Sequence, residues 1–249
     1  MAVIEVHNLV KRFGLKTVLK GMEFYADAGE FIGLLGPNGA GKTTFLRILS
    51  SLSRPTMGLV RVAGYHLPQQ AAGVRANLGV LSHQPLLYGD LTGEENLQFY
   101  GKMYSVDNLE ERMLEVLDLV DLTNRRRDLV RTYSRGMAQR LAIARAMIHD
   151  PGILLLDEPY TGLDQDASTM LDAVLKQIAA QGRTVVMTSH DLARSAELCT
   201  RFDVLSRGKI IASASREEIP QDGLLAYYRR AINLPAPQKS KQKKEAAHG

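Results

Sequence analysis

The stretch Gly36-Pro37-Asn38-Gly39-Ala40-Gly41-Lys42-Thr43-Thr44 decides how the chain is read. It follows the spacing G-x-x-x-x-G-K-[S/T], with Gly36, Gly41, Lys42 and Thr43 at the fixed positions. The apolar run before it, Phe31-Ile-Gly-Leu-Leu35, is short and bounded by glycines, which predicts a buried strand. After it, Phe45, Leu46, Ile48 and Leu49 recur at helical spacing. Strand, glycine-rich turn and helix are the setting in which the pattern has a physical meaning. The glycines let backbone N–H groups converge on a phosphate, and the helix start adds favourable partial charge. Lys42 is long enough to reach terminal phosphates, and the Thr43 hydroxyl is a ligand for Mg²⁺. A glycine-rich turn that binds nothing would not need both flanking elements. The stretch therefore predicts a nucleoside triphosphate site.

Bulk properties narrow the setting. A chain of 249 residues buries about 70–75% of its unfolded surface without covalent staples. The single cysteine, Cys199, excludes an internal disulfide and fits a reducing compartment. No apolar run reaches the ~18–20 residues that cross a bilayer, and the first residues do not read as a signal peptide. A soluble, cytoplasmic chain is expected, with any membrane crossing left to another polypeptide. The net charge of +4 is uneven: residues 235–249 carry +3, and the remaining 234 carry +1. The body thus lacks the basic excess of a nucleic-acid groove. The Lys/Pro/Ala/Gln tail reads as a disordered end, with attraction to anionic lipid as the sharper alternative.

Taken in order, residues 3–9 alternate as a strand, and Gly14 and Gly21 punctuate an antiparallel meander ahead of the phosphate loop. Phe13 sits at a turn beside Lys11 and Arg12, where it would either pack or stack on an adenine ring. Residues 57–63 and 78–81 read as further strands. Gln84 follows the second of these, at the strand end where ligands of α/β sheets bind, within reach of Mg²⁺ or an attacking water. Helical texture then runs from Asp90 to Pro151. It opens on the capping box Thr92-Gly-Glu-Glu95, includes the run Arg125-Arg-Arg127 read as a solvated face, and ends with a helix from Gly136 to His149. The core resumes at Ile153-Leu-Leu-Leu-Asp157-Glu158-Pro159. Four apolar residues predict a strand buried on both faces, with two acids where it ends. Asp157 would complete a Mg²⁺ shell, and Glu158 would orient or activate water for in-line phosphoryl transfer. A helix near residues 166–180, a strand over 184–188 ending in Ser189-His190-Asp191, and a strand pair around Arg207-Gly208 complete the pattern.

Lys42 and Thr43, Gln84, Asp157 and Glu158, and His190 appear in this order, with a helical insertion between the second and third groups. From about Val3 to Ala212 the chain resembles the ATP-binding subunit of ABC transporters. The most specific part is Tyr133-Ser-Arg-Gly-Met-Ala-Gln-Arg140, similar to the family signature Leu-Ser-Gly-Gly-Gln followed by x-Gln-Arg; Thr161-Gly-Leu-Asp164 matches the family's D-loop. The resemblance implies an α/β fold: a P-loop NTPase core of mixed, mainly parallel sheet flanked by helices, with an N-terminal antiparallel meander. The expected division is a core of residues 1–89 and 151–234, a helical sub-domain of residues 90–150 and a basic tail of residues 235–249.

The resemblance also implies a head-to-tail homodimer that encloses ATP and Mg²⁺ and sits beneath membrane-spanning permease subunits. On that implication Ser134, Gly136 and Asp164 serve nucleotide held with a second subunit, Glu158 is the general base, His190 contacts the γ-phosphate and Phe13 stacks on adenine. Gln84 would contact metal or water and link the site to the permease. The chain would lie at the cytoplasmic face of the membrane as a peripheral subunit. Arg135 and Met137 depart from the signature, Met137 standing for its glutamine; Arg135 would either add charge at the site or point into solvent. Residues 81–90, 131–137 and 159–164 look most like haem-exporter ATPases of cytochrome c biogenesis, with drug or polysaccharide exporters as the alternative. A soluble ATPase of this type acting on DNA or ribosomes fits less well. Only 89 residues separate Thr44 from Ser134, too few for a long coiled coil, and there is one cassette. A GTPase would need an Asn-Lys-x-Asp motif, which the sequence lacks.

Overall fold

A computed structural model describes residues 2–82 and 84–233. The basic tail and His83 lie outside the described residues. Two sheets share one helix between them. The first is antiparallel, in the order β2-β1-β4-β5, from β1 (Ala2–Phe13), β2 (Lys16–Asp27), β4 (Met57–Val62) and β5 (Tyr65–Leu67). The second has six strands in the order β10-β9-β3-β8-β7-β6. These are β3 (Phe31–Leu35), β6 (Leu78–Leu81), β7 (Ile153–Asp157), β8 (Thr184–Thr188), β9 (Arg201–Ser206) and β10 (Lys209–Ser215). Every pairing in it is parallel except β9 with β10.

The apolar runs explain this arrangement. All five residues of β3, β7 and β8 are buried, and successive side chains point to opposite faces. Ile32, Leu34, Ile153 and Leu155 join the core that also holds Ile4, Val6 and Val60 of the first sheet. Phe31, Leu35, Leu154 and Leu156 join the core beneath the helices on the other face. Helix α1 (Lys42–Leu49) lies in the first core through Phe45, Leu46, Ile48 and Leu49. Phe45 is fully buried, worth about 2–3 kcal/mol by area, and meets Phe24 edge-on at 5.0 Å between centroids.

The remaining helices are α2 (Ala71–Ala76), α3 (Gly93–Met103), α4 (Leu109–Leu119), α5 (Arg135–Met147), α6 (Gln165–Ala180), α7 (Leu192–Leu198) and α8 (Leu224–Ala231). The capping box that opens α3 forms in full: Thr92 Oγ1 accepts from Glu95 N–H at 3.1 Å, and Glu95 Oε2 accepts from Thr92 N–H at 2.7 Å. Helix α5 is two residues shorter at its C-terminal end than its apolar pattern predicts, because the chain turns at Asp150 with φ +55°. The arginine run is paired rather than merely solvated: Arg125 meets Asp128 at 3.0 Å, and Arg126 meets Glu94 at 3.3 Å. Strand β5 and helices α2, α7 and α8 go beyond the sequence reading. Strand β5 and helices α2 and α7 are too short to offer a repeating apolar stripe, whereas α8 carries one in Leu224, Tyr227, Tyr228 and Ala231 that the sequence reading passed over. Among the described residues no helix is long and apolar enough to cross a membrane.

Candidate functional site

The loop between β3 and α1 is shaped by what lies behind it. At Gly36 a side chain would meet the Leu205 carbonyl oxygen of β9 at 2.1 Å, so only glycine lets the loop lie this close. Gly41, the residue preceding α1, has φ +116°, and no side chain caps the helix there. The first N–H groups of α1 have no intrahelical partner, which makes this helix start an anion site. Lys42 folds back over the loop, donating to Gly36 O at 2.6 Å. Burial lowers its ammonium pKa, and the charges of Glu158 and Asp157 oppose that shift.

The acids at the end of β7 are held by the next strand. Thr188, the last residue of β8, donates its hydroxyl to Asp157 Oδ1 at 2.7 Å and accepts from Glu158 N–H at 2.9 Å. Its backbone oxygen accepts from Glu158 N–H as well, at 3.2 Å. Thr43 Oγ1 donates to the same Asp157 oxygen at 3.2 Å. Hydroxyl and carboxylate oxygens are the hard donors that Mg²⁺ takes, with water and phosphate oxygens completing its shell. The residues present therefore fit the ion. Glu158 adopts φ +53°, a left-handed conformation uncommon for a side-chain-bearing residue and of the kind found at functional sites. This turn sets Glu158 Oε1 at 3.0 Å from His190 Nε2. Burial raises the Glu158 carboxyl pKa, against the lowering influence of His190 and Lys42.

Residues 37–44, Glu158 and His190 line one cavity of about 580 Å³, with Lys16, Lys20 and Arg207 on its rim. The structure thus brings the phosphate loop together with Glu158 and His190, and joins Asp157 to it through Thr43. Five other expected residues stand outside this lining. Phe13 ends β1 outside the cavity lining, 54% exposed, with Lys11 Nζ 4.7 Å from its ring centre. Gln84 is exposed and also outside the lining; its carbonyl accepts from Ser82 Oγ at 2.7 Å. Ser134 caps α5, accepting from Met137 N–H at 3.2 Å, away from the phosphate cavity of its own chain. Gly136 lies beside it, where a side chain would meet Ala167 Cβ at 2.7 Å. Asp164 caps α6 and lines a neighbouring cavity of about 310 Å³ that shares Glu158 and His190.

Sequence reasoning missed Thr188, Lys16, Lys20 and Arg207. Thr188 had one visible signal, a hydroxyl at the end of an otherwise apolar strand; the three rim cations had none. Arg135 is neither buried among phosphate ligands nor free of the protein. Its guanidinium lies against Gly162, 2.2 Å from where a side chain there would begin.

Comparison with known proteins agrees with this geometry. A family model described as "ABC transporter" matches residues 19–161. The linearmycin resistance ATP-binding protein LnrL of Bacillus subtilis (strain 168) is 36% identical over 219 residues, 87% of this chain and 70% of the relative. The Nod factor export ATP-binding protein I of Burkholderia lata is 38% identical over 217 residues, 86% of this chain and 71% of the relative. Among solved structures, the "dimeric structure of a post-hydrolysis state of the ATP-binding cassette MJ0796 bound to ADP and Pi" superposes with a TM-score of 0.77. It is 27% identical and covers 86% of this chain and 98% of that one. These relatives are named for resistance and for Nod factor export, so the expectation of a haem exporter gains no support from them. With the nucleotide-binding loop, the acids behind it and these likenesses together, the chain belongs to the ABC transporter family as its ATP-binding cassette, an ATPase.

Proposed function

We propose that this cassette powers export by a membrane transporter, working as a pair of copies beneath membrane-spanning permease subunits at the cytoplasmic face. The observation that carries the chemistry is the convergence of Lys42, Glu158 and His190 on one cavity, with Glu158 and His190 3.0 Å apart. Bound ATP supplies the phosphoryl group, and Mg²⁺ neutralises charge on its phosphates. Lys42 and the N–H groups at the start of α1 bind the phosphates. Thr43 and Asp157 are the residues that would hold the ion. Glu158 takes the proton of the attacking water, and its raised carboxyl pKa makes it a better base than an ordinary glutamate. His190 keeps that carboxylate aimed and faces the same cavity.

Ser134 and Gly136 stand outside their own chain's cavity, which supports the reading that they serve the cavity of a second copy. The dimeric cassette among the similar structures supports the same arrangement. The division into a core, a helical sub-domain of residues 90–150 and a basic tail belongs to this proposal as well. For the cargo, the relatives favour an exporter of the drug-resistance kind over haem. The near-neutral body continues to disfavour a role on nucleic acid. Deleting the chain from its host tests the cargo. Increased sensitivity to an antibiotic, with c-type cytochromes intact, is the expected result; loss of c-type cytochromes would restore the haem reading.

A further inference from the structure

Behind Glu158 and His190, on the side away from the phosphate loop, one guanidinium touches three segments. Arg194 of α7 forms an ion pair with Asp172 of α6, and both side chains are only 15% exposed. Its Nε lies 3.2 Å from Asp191 Oδ2, and one terminal nitrogen donates to Gln165 Oε1 at 3.1 Å. The guanidinium also sits over the Tyr160 ring, 5.3 Å from its centre. Tyr160 closes the circuit by donating its hydroxyl to Asp172 Oδ1 at 2.7 Å.

Each contact falls beside a residue of the site. Asp191 follows His190, Tyr160 is two residues beyond Glu158, and Gln165 follows Asp164. An arginine suits this place because its planar fork presents five donors in fixed directions, whereas a lysine offers a point charge on a flexible stem. A staple joining α6 to α7 would need only the pair with Asp172. The additional contacts go to Asp191, which caps α7 beside His190, to Gln165, which opens α6 beside Asp164, and to Tyr160 in the turn that carries Glu158. In-line transfer depends on position, and an error of about 1 Å costs up to about 10²-fold in rate.

We propose that Arg194 is a positioning residue that clamps the loops bearing Glu158, Asp164 and His190 into one rigid unit and so sets the distance between Glu158 and His190. This rests on the reading of Glu158 as the base. The clamp acts on turnover and leaves nucleotide binding to the phosphate loop, which it does not touch.

The test measures ATP turnover and ATP affinity for Arg194→Ala, Arg194→Lys, Tyr160→Phe and the double variant Arg194→Ala/Tyr160→Phe, with rates expressed per ATP-binding site. Arg194→Ala is expected to lower kcat about tenfold or more with ATP affinity within about twofold. Arg194→Lys should recover part of the loss, and Tyr160→Phe should lower kcat alone but add nothing in the Arg194→Ala background. Loss of folded protein with normal kcat per binding site would make Arg194 a structural staple and overturn the proposal. So would additive effects of the two substitutions on kcat. Glu158→Gln, measured alongside, separates the two readings: near-normal turnover there overturns the base assignment, whereas an inactive Glu158→Gln beside an unimpaired Arg194→Ala overturns only the clamp.

Discussion

The two ends of the six-stranded sheet both gather charged groups and treat them in opposite ways. At the C-terminal end of the strands, Lys16, Lys20 and Arg207 stand around the cavity without an ion pair among the described residues, and Glu158 is the carboxylate that lines it. At the other end, Arg112 donates to the Met147 and Ile148 carbonyls that close α5 and lies 3.3 Å from Asp150. Arg183 meets the same aspartate and the Pro151 carbonyl. Charges at that end find their partners within the fold. Those around the cavity are left with capacity to spare, and cations that the fold does not neutralise are what a polyphosphate needs. Paired charge marks construction here, and unpaired charge marks a ligand.

The comparison can be broken most sharply at Glu158. Glu158→Gln keeps the shape of the site and removes the proton acceptor, so ATP turnover should fall by roughly 10²–10⁴ while ATP still binds. Near-normal turnover would move the base elsewhere. Lys42→Ala removes a charge-assisted contact worth about 1.5–3 kcal/mol, so ATP affinity should fall about tenfold to a hundredfold by calorimetric titration. Unchanged affinity would mean that Lys42 is not there for phosphate. At the opposite end, Arg112→Ala should cost about 1–3 kcal/mol of unfolding free energy in a denaturant titration. Its turnover per folded molecule should stay at the unmodified level, and a fall in turnover would erase the distinction between the ends.

Acidity sharpens the contrast further. A raised Glu158 carboxyl loses its proton-accepting form at a higher pH than an ordinary glutamate, so turnover should decline on the acid side earlier than such a residue predicts. His149, at the paired end, stacks on Tyr104 at 3.9 Å between ring centres. Burial, aided by Arg145 and Arg112, holds its imidazole pKa down at about 4 from an ordinary 6.5. The unfolded chain takes up that proton first as pH falls. The stability that His149 contributes is therefore complete above about 6.5, declines as pH drops toward about 4 and changes no further below it. His149→Gln should flatten that part of the stability profile and leave the acid limb of turnover in place. Movement of both together would show that the two ends are not separate.

What was legible in the sequence follows from how local each feature is. Residues 36–44 act through their neighbours in the chain, so spacing alone exposed them, and the acids Asp157 and Glu158 announced themselves by ending a run of four apolar residues. Thr188 acts on Asp157 and Glu158 from the adjacent strand, 31 and 30 residues away, and only the strand order brings it there. Arg207 enters the cavity because a hairpin folds over the loop, which no local pattern foretells. Phe13 and Gln84 show the converse: each has the right chemistry at the end of a strand, yet neither lines the cavity. The signature at Ser134, its service to a second subunit's nucleotide and hence its separation from its own phosphate cavity were legible by resemblance, and its helix cap by chemistry.

The close approach of Gly36 to Leu205 has a consequence in time. The same hairpin fastens the loop through Gly208, which donates its N–H to Ala40 O at 3.1 Å and accepts from Lys20 N–H at 3.0 Å. Residues 36–44 are thus synthesised well before the hairpin at residues 205–208 on which they lean. At about 5–20 residues per second, roughly ten seconds or more of translation separate the two. Until the hairpin has emerged, the loop lacks its contacts with Leu205 and Gly208, so the nascent chain completes its grip on nucleotide only after those residues are made.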